Sequence, residues 1–230
     1  DGMNFEVLQE YGPRMLAGLV VTLELVAISI VCGALLAVPI ALGRMSRNKL
    51  VSRIAFAYVY AVRGTPLLAQ TFLVYYGAGQ FRPELQAVGL WWLFKDAFFC
   101  CVLTFTLNTA AYQAEIYRGA ILAVPRGQSE AAMSLGLTPR AIFRMVVAPQ
   151  AMLLALRPLG NEIILMIKGS SVAAIVTVFD LMGVTRLAYS RTFDFQVYLW
   201  AAVLYLVMVE IIRRVWDHLE HRLTRHIRHA

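Results

Sequence analysis

The sequence predicts an all-α integral membrane protein with five membrane-spanning helices. Of its 230 residues, 60% are hydrophobic and only 15% are charged, which does not fit a soluble domain of this length. The apolar stretches reach the ~20 residues that a helix needs to cross a ~30 Å hydrocarbon core. Eight prolines and fifteen glycines are too few and too scattered for a disordered or fibrous chain.

The apolar stretches divide the chain into five predicted spans. In chain order they cover residues 15–42, 51–77, 97–121, 148–178 and 197–215. The longer stretches exceed the ~20 residues required, so we expect tilt, kinks or ends that project into water. Residues 1–230 are interpreted as one transmembrane domain.

The distribution of basic residues predicts the orientation of these spans. Five lie before the first span or in the second and fourth loops, and twelve lie in the first loop, the third loop and the C-terminal tail. The twelve are Arg44, Arg47, Lys49, Arg53, Arg126, Arg140, Arg144, Arg213, Arg214, Arg222, Arg225 and Arg228. By the positive-inside rule, the N-terminus lies outside and the C-terminus lies in the cytoplasm. This distribution also explains the net charge of +7 without any nucleic-acid partner.

The third loop, residues 126–147, is too polar to span a membrane and has a helical pattern of its own. Ser129 stands at the predicted start of a helix, and the residues that follow, Glu130–Ala132, are strong helix formers. Gly136 is typical of the end of a helix. The first part of this loop is therefore predicted to be one short helix closed by a glycine turn.

A second short helix is predicted to begin at Thr138, in the N-cap position, with Pro139 in the first turn. Such a helix, turn and helix can be an amphipathic anchor lying on the membrane surface. It can also seat in the cleft of a partner protein. The two small residues Ala131 and Ala132 beside the single acid Glu130 favour the partner protein.

Four motifs resemble one transporter family. Glu130, Ala131 and Ala132, followed by Gly136 and Pro149, resemble the EAA signature of the permease subunits of ATP-binding-cassette importers. Three further stretches resemble the polar amino-acid permeases, which serve histidine, arginine, glutamine and opines; they are Arg63–Leu68, Asn108–Gly119 and Gly160–Glu162. The similarity runs roughly from Met15 to Glu220.

The resemblance implies a type I importer permease in a bacterial inner membrane, working by alternating access. It also implies the partners: an ATPase dimer, a second permease subunit that is a copy or a paralogue, and an extracytoplasmic binding protein that delivers a polar amino acid. The EAA loop would insert into the ATPase. The sequence contains no GxxxxGK[ST] phosphate loop, in agreement with ATP hydrolysis by a separate subunit.

Ionisable residues inside the spans are candidates for function, because a charge near the bilayer centre costs about 2.5 kcal/mol or more. Seven candidates are Glu24, Arg63, Glu115, Arg118, Arg157, Glu162 and Lys168. If the fourth span enters the membrane at Pro149, Glu162 lies ~20 Å further along it, close to the midplane. Glu162 is therefore the first candidate ligand for a cationic substrate.

Arg63 precedes Gly64 and Pro66, which must disturb the second span near mid-depth. A broken helix with a cation there is a candidate carboxylate site, and a kink whose arginine pairs with a neighbouring helix is the alternative. Asn108, Tyr112 and Asn161 complete the predicted substrate site. Polar residues at such depths join helices as often as they bind ligands.

The remaining intramembrane charges have structural interpretations. Glu115 and Arg118 are three residues apart and can pair with each other, in a structural or gating role at the cytoplasmic end of the cavity. Arg157 and Lys168 are expected to extend toward the two membrane surfaces. Glu24 is expected to pack between helices.

No cofactor or metal site is predicted. The cysteines Cys32, Cys100 and Cys101 lie in apolar segments without metal-binding spacing and are interpreted as core residues. The four histidines, His218, His221, His226 and His229, lie in the arginine-rich tail and are expected to be solvated or to face lipid.

These observations favour a permease subunit for polar amino acids, with cationic amino acids or opines as the substrates that suit Glu162. The alternative is an autonomous secondary transporter or channel in which Glu162 couples to protons. An intramembrane enzyme is disfavoured, because the spans contain neither a pair of acids nor a nucleophile with a base.

Overall fold

The computed structural model describes residues 5–225, and this range is helical without any β-strand. The predicted all-α class is therefore confirmed. The described range forms the helices α1 (Phe5–Arg44), α2 (Lys49–Gly64), α3 (Leu67–Gln80), α4 (Arg82–Ala87), α5 (Trp91–Phe94), α6 (Ala97–Ala123), α7 (Arg126–Ser134), α8 (Pro139–Ile142), α9 (Ala148–Gly169), α10 (Leu181–Thr192) and α11 (Gln196–Thr224). A π-helical segment, Phe143–Val147, joins α8 to α9, and a 3₁₀ segment, Ser170–Val176, follows α9.

Four helical stretches in the described range are long and apolar enough to cross a membrane. They are Val7–Arg44, Ala97–Ala123, Pro139–Val176 and Gln196–Thr224. They overlap the first, third, fourth and fifth predicted spans. The second predicted span, 51–77, is divided between two shorter helices, α2 and α3.

The division between α2 and α3 follows from Pro66. Thr65 adopts an extended conformation with φ −118° and ψ 146°, the region into which a following proline pushes a residue. The carbonyl groups left without helical partners are capped by a side chain further along, because Gln70 Nε2 donates to Val62 O at 2.7 Å and to Thr65 O at 3.2 Å. These backbone carbonyl groups at the break are therefore hydrogen-bonded within the protein.

The loop helices differ from the sequence prediction in two ways. Helix α7 begins at Arg126, after Pro125, so Ser129 lies inside the helix and not at its start. Proline suits the boundary because its fixed φ continues directly into the helix. The second helix is not a separate short element: α8 continues through the π-helical segment into α9, since residues 140–148 contain neither glycine nor proline to end it.

Helix α6 lies at the centre of the fold and packs against α1, α2, α3 and α9. Its buried residues include many small side chains, among them Ala110, Ala111 and Ala114, which let neighbouring helices approach closely. Helix α11 packs chiefly against α9 and α10 and leaves much of its surface open. Cys100 and Cys101 are buried on α6, whereas Cys32 is exposed on α1, so the prediction that it is a core residue is wrong.

Candidate functional site

Glu162 lies on the side of α9 that packs against α6. Its side chain is buried, with the residue 6% exposed, and Oε1 accepts a 2.8 Å hydrogen bond from the Thr109 hydroxyl of α6. Within residues 5–225, Glu162 has no ion-pair partner closer than 4.0 Å. A buried carboxylate that has one hydroxyl donor and no adjacent cation is suited to receive a cation from elsewhere.

A line of polar side chains on α6 supports this carboxylate. Gln113 Nε2 donates to Thr109 Oγ1 at 3.1 Å and to the Ile30 carbonyl of α1 at 3.2 Å. The Tyr117 hydroxyl donates to Gln113 Oε1 at 3.3 Å. Since side chains four residues apart share one helix face, Thr109, Gln113 and Tyr117 extend from Glu162 along α6. The sequence prediction missed these three residues, although their spacing of four was visible.

Arg63 occupies the end of α2, at the break. Its guanidinium lies over the Tyr112 ring of α6, 5.1 Å from the ring centroid, and Tyr112 is about one helical turn from Thr109, which binds Glu162. The residue is exposed, and no carboxylate in the described range lies within ion-pair distance of it. The structure thus brings a cation held on an aromatic face into the neighbourhood of a buried carboxylate.

Asn108 connects the same region to α3. Its side-chain Nδ2 donates to Gln70 Oε1 at 3.0 Å, and Gln70 is the residue that caps the carbonyl groups at the break. The neighbouring residue on α6 is Thr109, which holds Glu162. Gln70 was not among the predicted site residues, because its partners come from positions far apart in the sequence.

Asn161 lies apart from the other predicted substrate residues. It follows Gly160 on α9 and points away from Glu162, since successive helical residues are about 100° apart around the axis. Asn161 is exposed and lines a cavity of about 310 Å³ between α9 and α11, together with Arg157, Trp216 and Glu220. The structure therefore gathers Glu162, Arg63, Asn108 and Tyr112 around α6 and places Asn161 on another face of α9.

A cluster of charges lies toward the ends of α1 and α6 that meet the loop helices. Glu115 accepts from Arg44 Nε at 2.8 Å and from Arg118 Nη2 at 2.8 Å. The sequence prediction named the pairing of Glu115 with Arg118, and the structure adds Arg44 from the end of α1. The half-buried Glu115 carboxylate thereby joins α1 to α6 through two charge-assisted hydrogen bonds.

Three other intramembrane charges have different surroundings. Arg157 does not simply extend toward the membrane surface: Nε donates to Glu220 Oε1 of α11 at 2.6 Å, although the Arg157 side chain is 75% exposed. Lys168 is exposed. Glu24 is exposed on α1, so the expectation that it packs between helices is wrong for the described chain. Which side of an apolar helix faces outward depends on packing that the sequence does not display.

The EAA residues of α7 divide between two faces. Glu130 and Ala131 are exposed, whereas Ala132 is buried against the rest of the chain. Gly136 follows with φ +79°, in the left-handed region that glycine adopts without strain. Leu135 beside it is 82% exposed. The helix and its turn thus present one acid, one small residue and one large apolar side chain on an open surface.

Within residues 5–225, no three His, Cys, Asp or Glu side chains come close enough together to hold a metal ion. His226 and His229 of the tail lie outside the described residues.

Comparison with known proteins places these features in context. Residues 29–225 match the family described as binding-protein-dependent transport system inner membrane component. The nopaline transport system permease protein NocM of Agrobacterium fabrum is 41% identical over 98% of this chain and 94% of its own length. The histidine/lysine/arginine/ornithine transport system permease protein HisM of Salmonella typhimurium is 36% identical over 96% of this chain and 98% of its own length.

Solved structures give a consistent picture. A chain in a crystal structure of an amino acid ABC transporter with histidines superposes with a TM-score of 0.85 at 35% identity, covering 96% of this chain and 100% of that one. A chain of the MetNI methionine ABC transporter in an inward-facing conformation superposes with a TM-score of 0.74 at 20% identity, covering 92% of this chain and 96% of that one. The second similarity concerns the fold alone.

Proposed function

The chain belongs to the family of binding-protein-dependent transport system inner membrane components, and we propose that it is the permease subunit of an ATP-driven importer for cationic amino acids or opines. The motif resemblance drawn from the sequence is confirmed by this family membership. Its relatives include permeases named for nopaline, octopine and the basic amino acids. Members of this family are transport components and not enzymes.

The observation that carries the substrate class is the placement of Glu162 and Arg63 against the same stretch of α6. Glu162 offers a buried carboxylate held by Thr109, and Arg63 offers an unneutralised guanidinium held on Tyr112. Every amino acid carries an ammonium group and a carboxylate, and basic amino acids and opines carry a further cationic group in the side chain. The substrate's cation would pair with Glu162 and its carboxylate with Arg63, each interaction strengthened by the exclusion of water.

The broken helix formed by α2 and α3 would serve as the second membrane span, which brings the total to five. At ~1.5 Å per residue, their combined length of about 45 Å exceeds a ~30 Å hydrocarbon core. Irregular backbone at membrane depth is tolerated where it lines a water-filled cavity, which suits the exposed break at Arg63. Alternating access would then expose this break to each side of the membrane in turn.

Coupling to ATP hydrolysis would pass through α7 and the turn at Gly136. We propose that Glu130, Ala131 and Leu135 seat in a cleft of the ATPase, and that Ala132 transmits movement to the membrane domain it packs against. A second permease subunit, an ATPase dimer and an extracytoplasmic binding protein complete the transporter. The N-terminus would lie outside and the loop helices in the cytoplasm, as the distribution of basic residues predicts.

The alternative that the sequence alone offered is an autonomous proton-coupled secondary transporter or channel, with Glu162 as the titrating group. One experiment separates the two. The permease is co-expressed with its ATPase and second permease, reconstituted into vesicles, and tested for uptake of labelled arginine or octopine with the binding protein present. The proposal expects uptake that needs ATP and survives collapse of the proton gradient. Uptake driven by a proton gradient without ATP would support the alternative.

A further inference from the structure

An apolar groove lies on the side of α9 away from Asn161. We call it the inner groove; it has a volume of about 310 Å³ between α1, α6 and α9. Its lining includes Val38, Tyr117, Ile121, Ala151, Met152 and Ala155. Met152 is 71% exposed and Val38 is 49% exposed, so the groove is open at its edge. A groove with this lining would exclude a charged substrate.

A second, shallower cavity of about 570 Å³ lies next to the inner groove, nearer the start of the same helix. It is lined by Pro139, Arg140, Phe143, Arg144 and Ala148. Phe143 and Ala148 line both cavities, so the two are adjacent. Along the helix that begins at Pro139, this face is therefore cationic at the second cavity and apolar at the inner groove.

The two arginines of the second cavity form no ion pair within the described residues. Arg140 and Arg144 are both exposed, and in residues 5–225 neither lies within 4.0 Å of a carboxylate. By contrast, Arg44 and Arg118, at the same end of the fold, are both paired with Glu115. An apolar groove with two unneutralised guanidinium groups at one end is complementary to a molecule with an apolar chain and an anionic head.

We propose that this composite site binds an anionic phospholipid of the inner leaflet, with an acyl chain in the inner groove and the phosphate between Arg140 and Arg144. The leaflet assignment rests on the orientation proposed above. Inner-leaflet lipids supply anionic head groups, which attract arginines at the membrane surface. The bound phosphate would carry one negative charge, so it would offset one of the two positive charges and could accept hydrogen bonds from both guanidinium groups.

The position of the site links the lipid to coupling. Arg144 and Phe143 belong to the π-helical segment, which connects α8 to α9, and this segment also contacts α7. Single π-helical turns inside α-helices occur frequently at functional sites. A lipid held there would stabilise one arrangement of α7 relative to α9, and stimulated ATP hydrolysis should depend on anionic lipid.

The test measures lipid binding and ATP hydrolysis on the complete transporter. Complexes containing the double variant Arg140→Gln, Arg144→Gln are compared with wild type by native mass spectrometry after incubation with phosphatidylglycerol or phosphatidylcholine. Arg126→Gln, an exposed arginine of α7 that lines neither cavity, is the control. We expect the double variant to lose roughly tenfold or more in apparent phosphatidylglycerol affinity. Wild type and Arg126→Gln should retain their phosphatidylglycerol affinity. Phosphatidylcholine should bind weakly to wild type and to both variants.

A second variant tests the apolar part of the proposed lipid site, the inner groove. Ala148→Leu fills the junction of the two cavities with a residue of similar helix propensity, so lipid retention should fall while both arginines remain. The proposal is overturned if both variants bind phosphatidylglycerol as wild type does. It is also overturned if the double variant keeps the lipid but loses the ATPase subunit, because the arginines would then contact that protein. Anionic nanodiscs should raise stimulated ATPase activity in wild type and not in the double variant.

Discussion

The Asn108 side chain donates a 3.0 Å hydrogen bond to Gln70 Oε1, and this contact fixes α6 to the break between α2 and α3. Through its Nε2, Gln70 also donates to the carbonyl groups of Val62 and Thr65, on either side of Arg63. One glutamine thus sets the position of the arginine relative to the α6 face that holds Glu162. Asn108 helps to shape the site even where it touches no substrate.

Replacing Gln70 with Leu should impair transport more than it impairs assembly. The variant leaves the carbonyl groups at the break uncapped and Asn108 without its acceptor, and each unsatisfied polar group costs about 1–3 kcal/mol. Arg63 should then lose its fixed position, raising the KM for uptake. We expect Gln80→Leu, an exposed glutamine at the end of α3, to leave KM unchanged. The KM values of both variants are measured from uptake kinetics in reconstituted vesicles.

The coupling between Gln70 and Asn108 is measured by a double-mutant cycle. If the contact acts as described, Asn108→Leu in the Gln70→Leu background should add little, giving an interaction energy of about 0.5–3 kcal/mol in kcat/KM. Strictly additive effects of the two substitutions would contradict the proposed link.

Local turn chemistry in this protein was readable from the sequence, whereas partners between helices were not. Gly136 and Thr138 identify their turn and cap because glycine and threonine act on their own backbone. The contact of Thr109 with Glu162 depends on the register of α6 against α9, which no local pattern encodes.

The sequence also does not show which face of each span is buried. The first span is apolar on all sides, so no amphipathic stripe tells which face is buried. Glu24 and Cys32 were therefore expected inside and lie outside. Residue counts alone gave an estimate of membrane depth, which predicted that Glu162 and Arg63 lie near mid-depth, but they gave none of the contacts of either residue.

Gly136→Ala should weaken coupling while leaving membrane insertion intact. Gly136 has φ +79° with no heavy atom within 4 Å of an added Cβ, so the cost is backbone strain of about 1 kcal/mol. The strained turn should displace α7 and lower substrate-stimulated ATP hydrolysis. Gly127→Ala is the matched control, because Gly127 lies inside α7 with equal open space and alanine favours the helix. Equal activities in the two variants would show that the turn does not position α7.

Gly160→Ala should destabilise the contact between α9 and α11. A Cβ at this position would lie 2.4 Å from two atoms of the Trp216 ring, whose Nε1 donates to Leu156 O at 2.8 Å. Overpacking of this kind costs about 1–3 kcal/mol, which should lower the thermal unfolding temperature of the purified complex. Gly119→Ala on α6 meets no atom within 4 Å and should leave the temperature unchanged or higher. A melting temperature for Gly160→Ala equal to that of Gly119→Ala would mean that Trp216 can move aside at no cost.

Cysteine labelling tests the orientation. In a background that lacks the three native cysteines, Glu84→Cys on α4 and Arg47→Cys before α2 are both exposed positions. The charge distribution predicts that an impermeant thiol reagent added to intact cells labels position 84 and not position 47. Permeabilised cells should show labelling at both, which controls for accessibility. The reverse pattern in intact cells would invert the proposed topology.

Glu162→Gln tests the substrate site most directly. The glutamine keeps the shape of the side chain, and its carbonyl oxygen can still accept from the Thr109 hydroxyl, so helix packing should be preserved. The negative charge that would pair with a substrate cation is lost, at a cost of about 1.5–3 kcal/mol for a charged hydrogen bond. Apparent affinity for a cationic substrate should therefore fall by roughly tenfold to a hundredfold.

Three measurements decide what Glu162 does. Uptake of arginine at increasing concentration should recover partly in Glu162→Gln, the binding protein's own affinity should not change, and basal ATP hydrolysis should persist because α7 is untouched. Glu24→Gln, which removes an exposed carboxylate on α1, is the control and should transport normally. A uniform loss for all substrates with poor expression would indicate a packing role for Glu162. Normal uptake by a well-expressed Glu162→Gln variant would remove Glu162 from the binding site, since a desolvated cation left without its counter-ion cannot bind equally well.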